Sequence, residues 1–389
     1  MLVKQIYEFV NNATAEALGD ASITADENLS NIVDVGNAIF DANAVDAYVR
    51  SLINHIGRVV FVNRPYSGSV PSVLMDGWEY GSVMEKISAK LPDAEENESW
   101  ELQDGQSYDQ NIFYKPQVTA KFFNKRTTFE IPLSITEKQV KQSFSNATQL
   151  NAFMSMLYNE VDKSMTIKTD ELVMRTINNM IADTVYDDYA GAGLDTKSGV
   201  KAVNLLYQYN TETFASSSDY ITAAQAIHDP EFIRYASFKM GLYADRLRKI
   251  STLFNIGGEP RFTPADMLHV VLLSEFKNAA GAFLQSDTFH DQYTALPKAE
   301  TVAFWQGSGT DYAFSSTGKI DVVSANNHNV AVTGILGVMF DRDALGVSNL
   351  DKRVTTHYNA KGEFFNNWYK QDAGYFNDQN ENFVVFFIA

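Results

Sequence analysis

The chain has 389 residues and a formal net charge of −17, because 48 aspartates and glutamates outnumber 31 lysines and arginines; 45% of its residues are hydrophobic. This length allows two or three average domains or one large one, and the hydrophobic content excludes wholesale disorder. So negative a chain repels polyphosphate, which disfavours general nucleic-acid binding. With no cysteine, it has no disulfides, thiolate metal sites or cysteine nucleophiles, as suits a reducing cytoplasm.

The start of the chain does not have the pattern of a targeting signal. Glu8, Asn11 and Asn12 interrupt the apolar run that a signal peptide needs. Every apolar run is much shorter than the roughly 20 residues that cross a bilayer. We therefore expect a soluble protein that is made inside the cell and does not contact a membrane.

The first 66 residues predict small elements. Apolar residues at helical spacing indicate an amphipathic helix near residues 6–13 and a second helix over residues 33–56, and residues 58–62 form a short strand candidate. These elements are typical of an arm that packs on something else.

Residues 67–132 predict strands, because apolar and polar residues alternate over 83–91, 118–122 and 127–131. The alternation slips by one residue at Phe123 and Asn124, which predicts a bulge or bend. Between the strand runs lies a segment with seven acids and no lysine or arginine: Asp93, Glu95, Glu96, Glu98, Glu101, Asp104 and Asp109. Its spacing is not that of a calcium loop, so we interpret it as a solvated loop. A two-stranded excursion of this kind buries no core alone.

Residues 133–190 contain neither glycine nor proline. Ser134 and Glu137 suggest a capping box for a short first helix. Apolar residues then recur at three- and four-residue steps over 150–181, which predicts one helix of about 35 residues lying across a sheet. Its other face is polar, with Glu160, Lys163, Lys168, Asp170, Arg175 and Asn179.

The remainder predicts a mixed α/β region and then strands. Helical patterns over 232–254 and 275–284 flank a strand at 268–273. Short strands follow at 302–305, 321–323 and 330–340. The aromatic-rich segments 353–358, 363–369 and 382–388 predict a closing meander.

Motifs that would carry chemistry are weak. The chain has no G-x-S-x-G elbow and no H-E-x-x-H pair. His269 lies in an apolar strand, where a hydrogen-bonded core histidine is the better interpretation than a catalytic one. The 48 acids offer many accidental pairs, so a glycosidase pair stays open.

Two further near matches are better explained by turns. Gly191 with Thr196, Lys197 and Ser198 imitates a phosphate loop, but a threonine replaces its second glycine and an acidic helix end precedes it. Asp341 and Asp343 form a D-x-D pair where a strand enters a turn. We expect no catalytic, cofactor-binding or metal-binding residue, and no cofactor.

The order of elements and the C-terminal sequence GILGVMFDRDALGV at residues 334–347, followed by the hydrophobic close at 383–389, resembles the major capsid proteins of tailed double-stranded-DNA bacteriophages, the Hong Kong 97 fold family. The strand-then-helix step that begins at Leu268 is similar to one in that family. The resemblance implies an α+β fold: an N-terminal arm (1–66), an extended β loop with flanking strands (67–132), a peripheral-domain spine helix (133–190), an axial α/β domain (191–333) and peripheral-domain strands (334–389).

The resemblance also implies a function. The chain would be a structural protein and not an enzyme, assembling with itself as pentamers and hexamers into an icosahedral phage head around the DNA genome. Further partners would be portal and scaffold or decoration proteins, with the packaged DNA only loosely apposed and no membrane. The chain would be located in the virion capsid after assembly in the host cytoplasm. An encapsulin-like compartment shell and an acidic cytosolic carbohydrate-active enzyme are the alternatives.

In such a shell we expect the acidic loop to become ordered on a neighbouring subunit. Covering Trp100, Phe113 and Tyr114 would supply the energy, and Lys163, Lys168 or Arg175 on the neighbour's long helix would meet the acids. Some relatives crosslink their shells through a Lys–Asn bond. Lys86 and Lys90 lie in the extended loop, but no residue is identified as a partner, so we do not assign this chemistry to the chain.

Overall fold

The computed structural model describes residues 3–19, 47–48, 70–75, 84–92, 94, 96, 100–105, 107, 111–136, 147–283, 298–305, 318–323 and 328–389. The helix expected over 33–56, apart from residues 47–48, and the strand expected at 58–62 lie outside these ranges. The helices are α1 (Val3–Leu18), α2 (Ala147–Tyr189), α3 (Leu205–Thr213), α4 (Ala223–Ala226), α5 (Pro230–Leu247) and α6 (Ser274–Phe283).

Thirteen strands are described: β1 (Leu74–Met75), β2 (Met84–Ala89), β3 (Val118–Phe123), β4 (Arg126–Thr136), β5 (Ala202–Asn204), β6 (Leu268–Leu273), β7 (Glu300–Val302), β8 (Ile320–Val323), β9 (Asn329–Val332), β10 (Ile335–Asp341), β11 (Leu345–Asn359), β12 (Phe364–Asn377) and β13 (Phe383–Phe387). They form a four-stranded sheet in the order β1-β11-β12-β4, a five-stranded sheet in the order β5-β13-β10-β6-β7, and two hairpins, β2–β3 and β8–β9. This mixture confirms the α+β prediction.

Helix α2 is the spine of the subunit. It runs unbroken for 43 residues, about 65 Å at 1.5 Å per residue, and confirms the single long helix that the sequence predicts. It lies against strands of both large sheets, and Leu172, Ile177 and Ile181 on it are buried. The helix ends where Ala190 and Gly191 take φ values of 48° and 82°, and the amide of Ala190 donates to the Tyr186 carbonyl at 2.7 Å.

One local prediction before the spine helix is wrong, and another can be made more specific. Ser134 does not cap a helix: it lies inside β4, opposite Asn366 of β12, because the alternation of apolar residues continues through residue 135. Pro132 fits there because β4 is at the edge of its sheet. The slip at Phe123 and Asn124 marks a change of sheet, since β3 pairs with β2 whereas β4 pairs with β12.

The closing strands differ from the expected meander. β11 and β12 form a long hairpin, but β13 pairs with β10 and β5 in the other sheet. β10 and β13 are buried at every position, and such continuous apolar runs need cover on both faces. The predicted domain boundary at residue 334 does not coincide with a boundary between sheets. β10 lies after it and β6 lies before it in the sequence, yet the two strands pair in one sheet. The five domain ranges stay a prediction.

A candidate assembly surface on the extended hairpin

The β2–β3 hairpin has two faces of opposite character. Lys86 lies directly opposite Lys121. Because side chains alternate along a strand, the hairpin has one face, here called the inner face, formed by Met84, Lys86, Ser88, Thr119, Lys121 and Phe123. The other, here called the outer face, is formed by Glu85, Ile87, Ala89, Val118, Ala120 and Phe122. One face is thus mainly polar and the other mainly apolar.

The inner face contacts the subunit through ion pairs. Lys86 Nζ lies 2.9 Å from Asp378 Oδ2 and 2.7 Å from Glu381 Oε1. Lys121 Nζ lies 2.8 Å from the other oxygen of Asp378, and Arg261 Nε lies 3.4 Å from Glu381 Oε1. These five residues are called the ion cluster below. They attach the base of the hairpin to the turn between β12 and β13.

The two carboxylates of the ion cluster are in different electrostatic states. Burial alone would raise the pKa of Asp378, but hydrogen bonds from Lys121 and Lys86 outweigh it and hold the pKa below its ordinary value. Burial raises the pKa of Glu381, and its contacts with Lys86 offset only part of that effect. Burial would lower the pKa of Lys86, but its carboxylate partners outweigh burial and raise it. Asp378 is therefore the carboxylate that the cluster stabilises in its charged form.

The outer face is apolar and exposed. Ile87 is 65% exposed, Phe122 64% and Val118 58%. Beyond the strands, Trp100 is 96% exposed and Phe113 84%. A hairpin of a soluble monomer normally covers its apolar face with its own subunit, whereas large exposed apolar surfaces mark interaction sites. This hairpin is inverted, with its polar face toward its own subunit.

The sequence predicted this hairpin but not its orientation. Alternation shows that the two faces differ, and it does not show which face turns inward. The residues missed were Asp378 and Glu381, because no motif marks them. Two lysines in register on one face of a hairpin, Lys86 and Lys121, were the available signal, since like charges directly opposite each other need an acidic partner.

His269 lies in β6 as expected, but the hydrogen bond expected for it is absent at Nε2. That atom is buried and has no hydrogen-bond partner among the residues that the structure describes, while the ring stacks on Phe340 with centroids 5.6 Å apart. Burial lowers the pKa of His269. The histidine borders a cleft of about 550 Å³ whose described lining includes the carboxylate of Asp266 and the guanidinium of Arg342.

The two near-motifs form turns, as the sequence indicates. Lys197 Nζ donates to the Asp188 carbonyl at 2.8 Å, so it stabilises the end of the spine helix instead of facing a phosphate. The amide of Asp343 donates to Asp341 Oδ1 at 2.9 Å, which closes the turn after β10. In the described part of the chain, no group of three or more histidines and acids is placed to hold a metal ion. Nor does any helix there have the length and apolar character to cross a membrane.

Comparison with known proteins agrees with the resemblance read from the sequence. Similar solved structures include the capsid of Staphylococcus phage Andhra (9% identity, 84% of this chain and 86% of that chain, TM-score 0.47) and the capsid of cyanophage P-SCSP1u (10%, 82% and 86%, 0.41). Scores this low carry no argument alone, and curated protein sequences give no match. Residues 10–387, nearly the whole chain, match the sequence model of a single family. The chain belongs to the Phi29-like phage major capsid protein family.

Proposed function

We propose that copies of this chain assemble as pentamers and hexamers into a closed icosahedral shell around the double-stranded DNA of a phage, with the outer face of the hairpin covered by a second copy. Family membership makes the chain a structural, capsid-forming protein of the virion. The inverted hairpin supports the finer proposal: Ile87 and Phe122 are exposed, while Lys86 and Lys121 hold the polar face to the subunit.

Energetics favour this contact. A two-stranded ribbon is marginal in water unless another surface covers its apolar face. Covering one large apolar side chain contributes about 1.5–3 kcal/mol. A shell repeats that contribution in every copy, so a modest interface per subunit gives a stable particle.

The other partners follow from the same proposal. Portal and scaffold or decoration proteins would join the shell during assembly in the host cytoplasm. The net charge of −17 disfavours tight binding of the packaged DNA, which would stay loosely apposed. The encapsulin-like and carbohydrate-active alternatives gain no support from the comparisons.

The test compares two isoleucine-to-serine variants. Ile87→Ser changes the outer face, and Ile167→Ser changes a residue of the spine helix that is 56% exposed. Sedimentation and electron microscopy should show particles of the wild type and of Ile167→Ser. Ile87→Ser should stay folded by circular dichroism but need roughly tenfold more protein to assemble, because it loses apolar burial. A strictly monomeric wild type at high concentration, with scaffold supplied, would contradict the proposal.

A further inference from the structure

The distal part of the hairpin, residues 90–117, combines negative charge with exposed aromatic rings. The amide of Lys90 donates to the Gln117 carbonyl at 2.9 Å and closes the segment. Seven acids and no basic residue lie between Lys90 and Lys115. Trp100 and Tyr114 are 96% and 78% exposed. A surface that binds this segment must therefore be both basic and apolar.

The spine-helix cations expected to meet these acids already interact within their own subunit. Lys168 Nζ lies 2.7 Å from Glu171 Oε2. The guanidinium of Arg175 lies 5.1 Å from the ring centre of Tyr375, and Lys163 also has an interaction within the chain. A neighbour's acids would have to compete with these contacts.

The basic residues at the end of α5 are engaged in the same way, since Arg248 Nη1 lies 3.3 Å from Asp245 Oδ1 and the Arg246 guanidinium lies 5.5 Å from the ring centre of Tyr243. The two surfaces therefore differ in their exposed apolar side chains and not in whether their cations have partners.

A different surface has both required properties. Three of the four residues at positions 246–249 are basic, and they lie at the end of α5. Exposed apolar side chains follow: Ile250 is 53% exposed, Leu253 59% and Phe262 54%. This surface is called the basic apolar patch, and its members are Arg246, Arg248, Lys249, Ile250, Leu253 and Phe262.

The patch is held in shape by the backbone beneath it. Ser251 and Arg261 exchange two backbone hydrogen bonds of 2.9 and 3.0 Å, and the amide of Thr263 donates to the Leu247 carbonyl at 2.8 Å, so both ends of this loop are tied together. The amide of Gly257 donates to the Gln379 carbonyl at 2.8 Å, which fixes the loop to the turn between β12 and β13. The patch is thus a preformed surface.

We propose that the basic apolar patch binds the distal hairpin segment, residues 90–117, of a second copy of the chain. The proposal rests on the proposed function, since it names the partner of the same hairpin. Charge complementarity favours this pair: a segment whose sequence has seven acids and no basic residue, and whose Trp100 and Tyr114 are exposed, meets a run of cations beside exposed apolar side chains. Because the two surfaces differ, the contact is heterologous, and such contacts close into rings when the rotation permits.

The native chain has no cysteine, so engineered disulfides report this contact without background. A chain carrying Leu102→Cys and Leu253→Cys should, when assembled particles are oxidised, give a ladder of linked copies on a non-reducing gel. The matched chain carries Leu102→Cys and Ile167→Cys, which tests the spine helix instead. If both chains form particles and only the chain with Leu253→Cys gives the ladder, the proposal is supported. If only the chain with Ile167→Cys gives the ladder, or if neither chain does, the proposal is overturned.

Charge reversal provides an independent test. Arg248→Glu with Lys249→Glu should raise the protein concentration needed for assembly roughly fivefold. Adding Glu96→Lys and Glu101→Lys to the same chain should restore the wild-type value. Failure of this rescue would overturn the docking proposal, while particle formation by the wild type would leave the proposed function intact. A wild type that never assembles would contradict the proposed function itself.

Discussion

Lys86 and Lys121 lie opposite each other on the hairpin, and their ammonium groups contact the two oxygens of the same carboxylate, Asp378, at 2.9 and 2.8 Å. Two like charges directly opposite on a ribbon repel each other. Asp378, whose side chain is only 2% exposed, offsets that repulsion because its carboxylate contacts both ammonium groups and so holds the hairpin to the subunit. The base of the hairpin therefore depends on one buried acid.

Asp378→Asn should loosen the hairpin. Removing one partner of a buried ion pair leaves uncompensated charge and costs about 3 kcal/mol. We expect hydrogen-exchange protection in Met84–Ala89 to fall by about two orders of magnitude, since 1.4 kcal/mol corresponds to a factor of about ten. Protection in the buried strand Leu268–Leu273 should stay unchanged. Full protection of β2 in this variant would show that the ion cluster does not hold the hairpin.

Glu381→Gln should behave differently from Asp378→Asn, although both change an acid that contacts Lys86. Burial raises the pKa of Glu381, so its charge is disfavoured where it lies and an uncharged isostere suits the site. We expect a change of less than about 1 kcal/mol, measured by the same exchange experiment. Equal losses in the two variants would contradict the difference between the carboxylates.

The pH dependence of hairpin attachment should follow the signs of these pKa shifts. Asp378 has a lowered pKa, so its stabilisation is present above its ordinary value of 3.8 and is lost as the pH falls through the folded value. Lys86 has a raised pKa, so its stabilisation is lost only as the pH rises beyond 10.5. Glu381 acts oppositely to Asp378: its contribution is fully present below 4.5 and is lost as the pH rises through its folded value. Protection measured from pH 4 to 10 should decline slightly just above 4.5, and Glu381→Gln should abolish that decline.

The spine helix should not tolerate proline. Val173 is fully buried in α2, and Val173→Pro should cost about 3 kcal/mol or more and prevent soluble folding. Leu102→Pro, at an exposed position of the distal hairpin segment, should leave the subunit soluble. The soluble fraction after expression and the circular dichroism spectrum measure both. Equal tolerance would mean that α2 is not a continuous spine.

Replacing each of two glycines by alanine should change the stability of the protein in opposite directions. Gly334 has a φ of +69°, and an added Cβ would clash with the Ile388 carbonyl, so Gly334→Ala should destabilise by about 1–3 kcal/mol. Gly281 lies in α6 with open space where a Cβ would be. Gly281→Ala should stabilise by about 0.5–1 kcal/mol through helix propensity. Thermal unfolding of the two variants measures both changes. If Gly281→Ala also lowers the melting temperature, the prediction for Gly281 is wrong.

Local patterns predicted the elements well and their long-range partners poorly. The strand expected at 268–273 has those bounds, and the spine helix extends beyond its predicted range at both ends. β13 was expected beside β12 but lies in the other sheet. The orientation of the hairpin depends on Asp378, which Lys121 contacts from 257 positions away in sequence. Periodicity contains no information about partners that distant.

The turn between β12 and β13 has a mechanical consequence. It joins the four-stranded sheet to the five-stranded sheet, it holds Asp378 and Glu381, and Gln379 Nε2 donates from it to Asp183 of the spine helix at 3.0 Å. A pull on the hairpin by a neighbouring copy therefore acts on the junction of both sheets and on the helix together, instead of peeling a single strand. In the proposed shell, tension on the hairpin would be distributed through the whole subunit from that one corner.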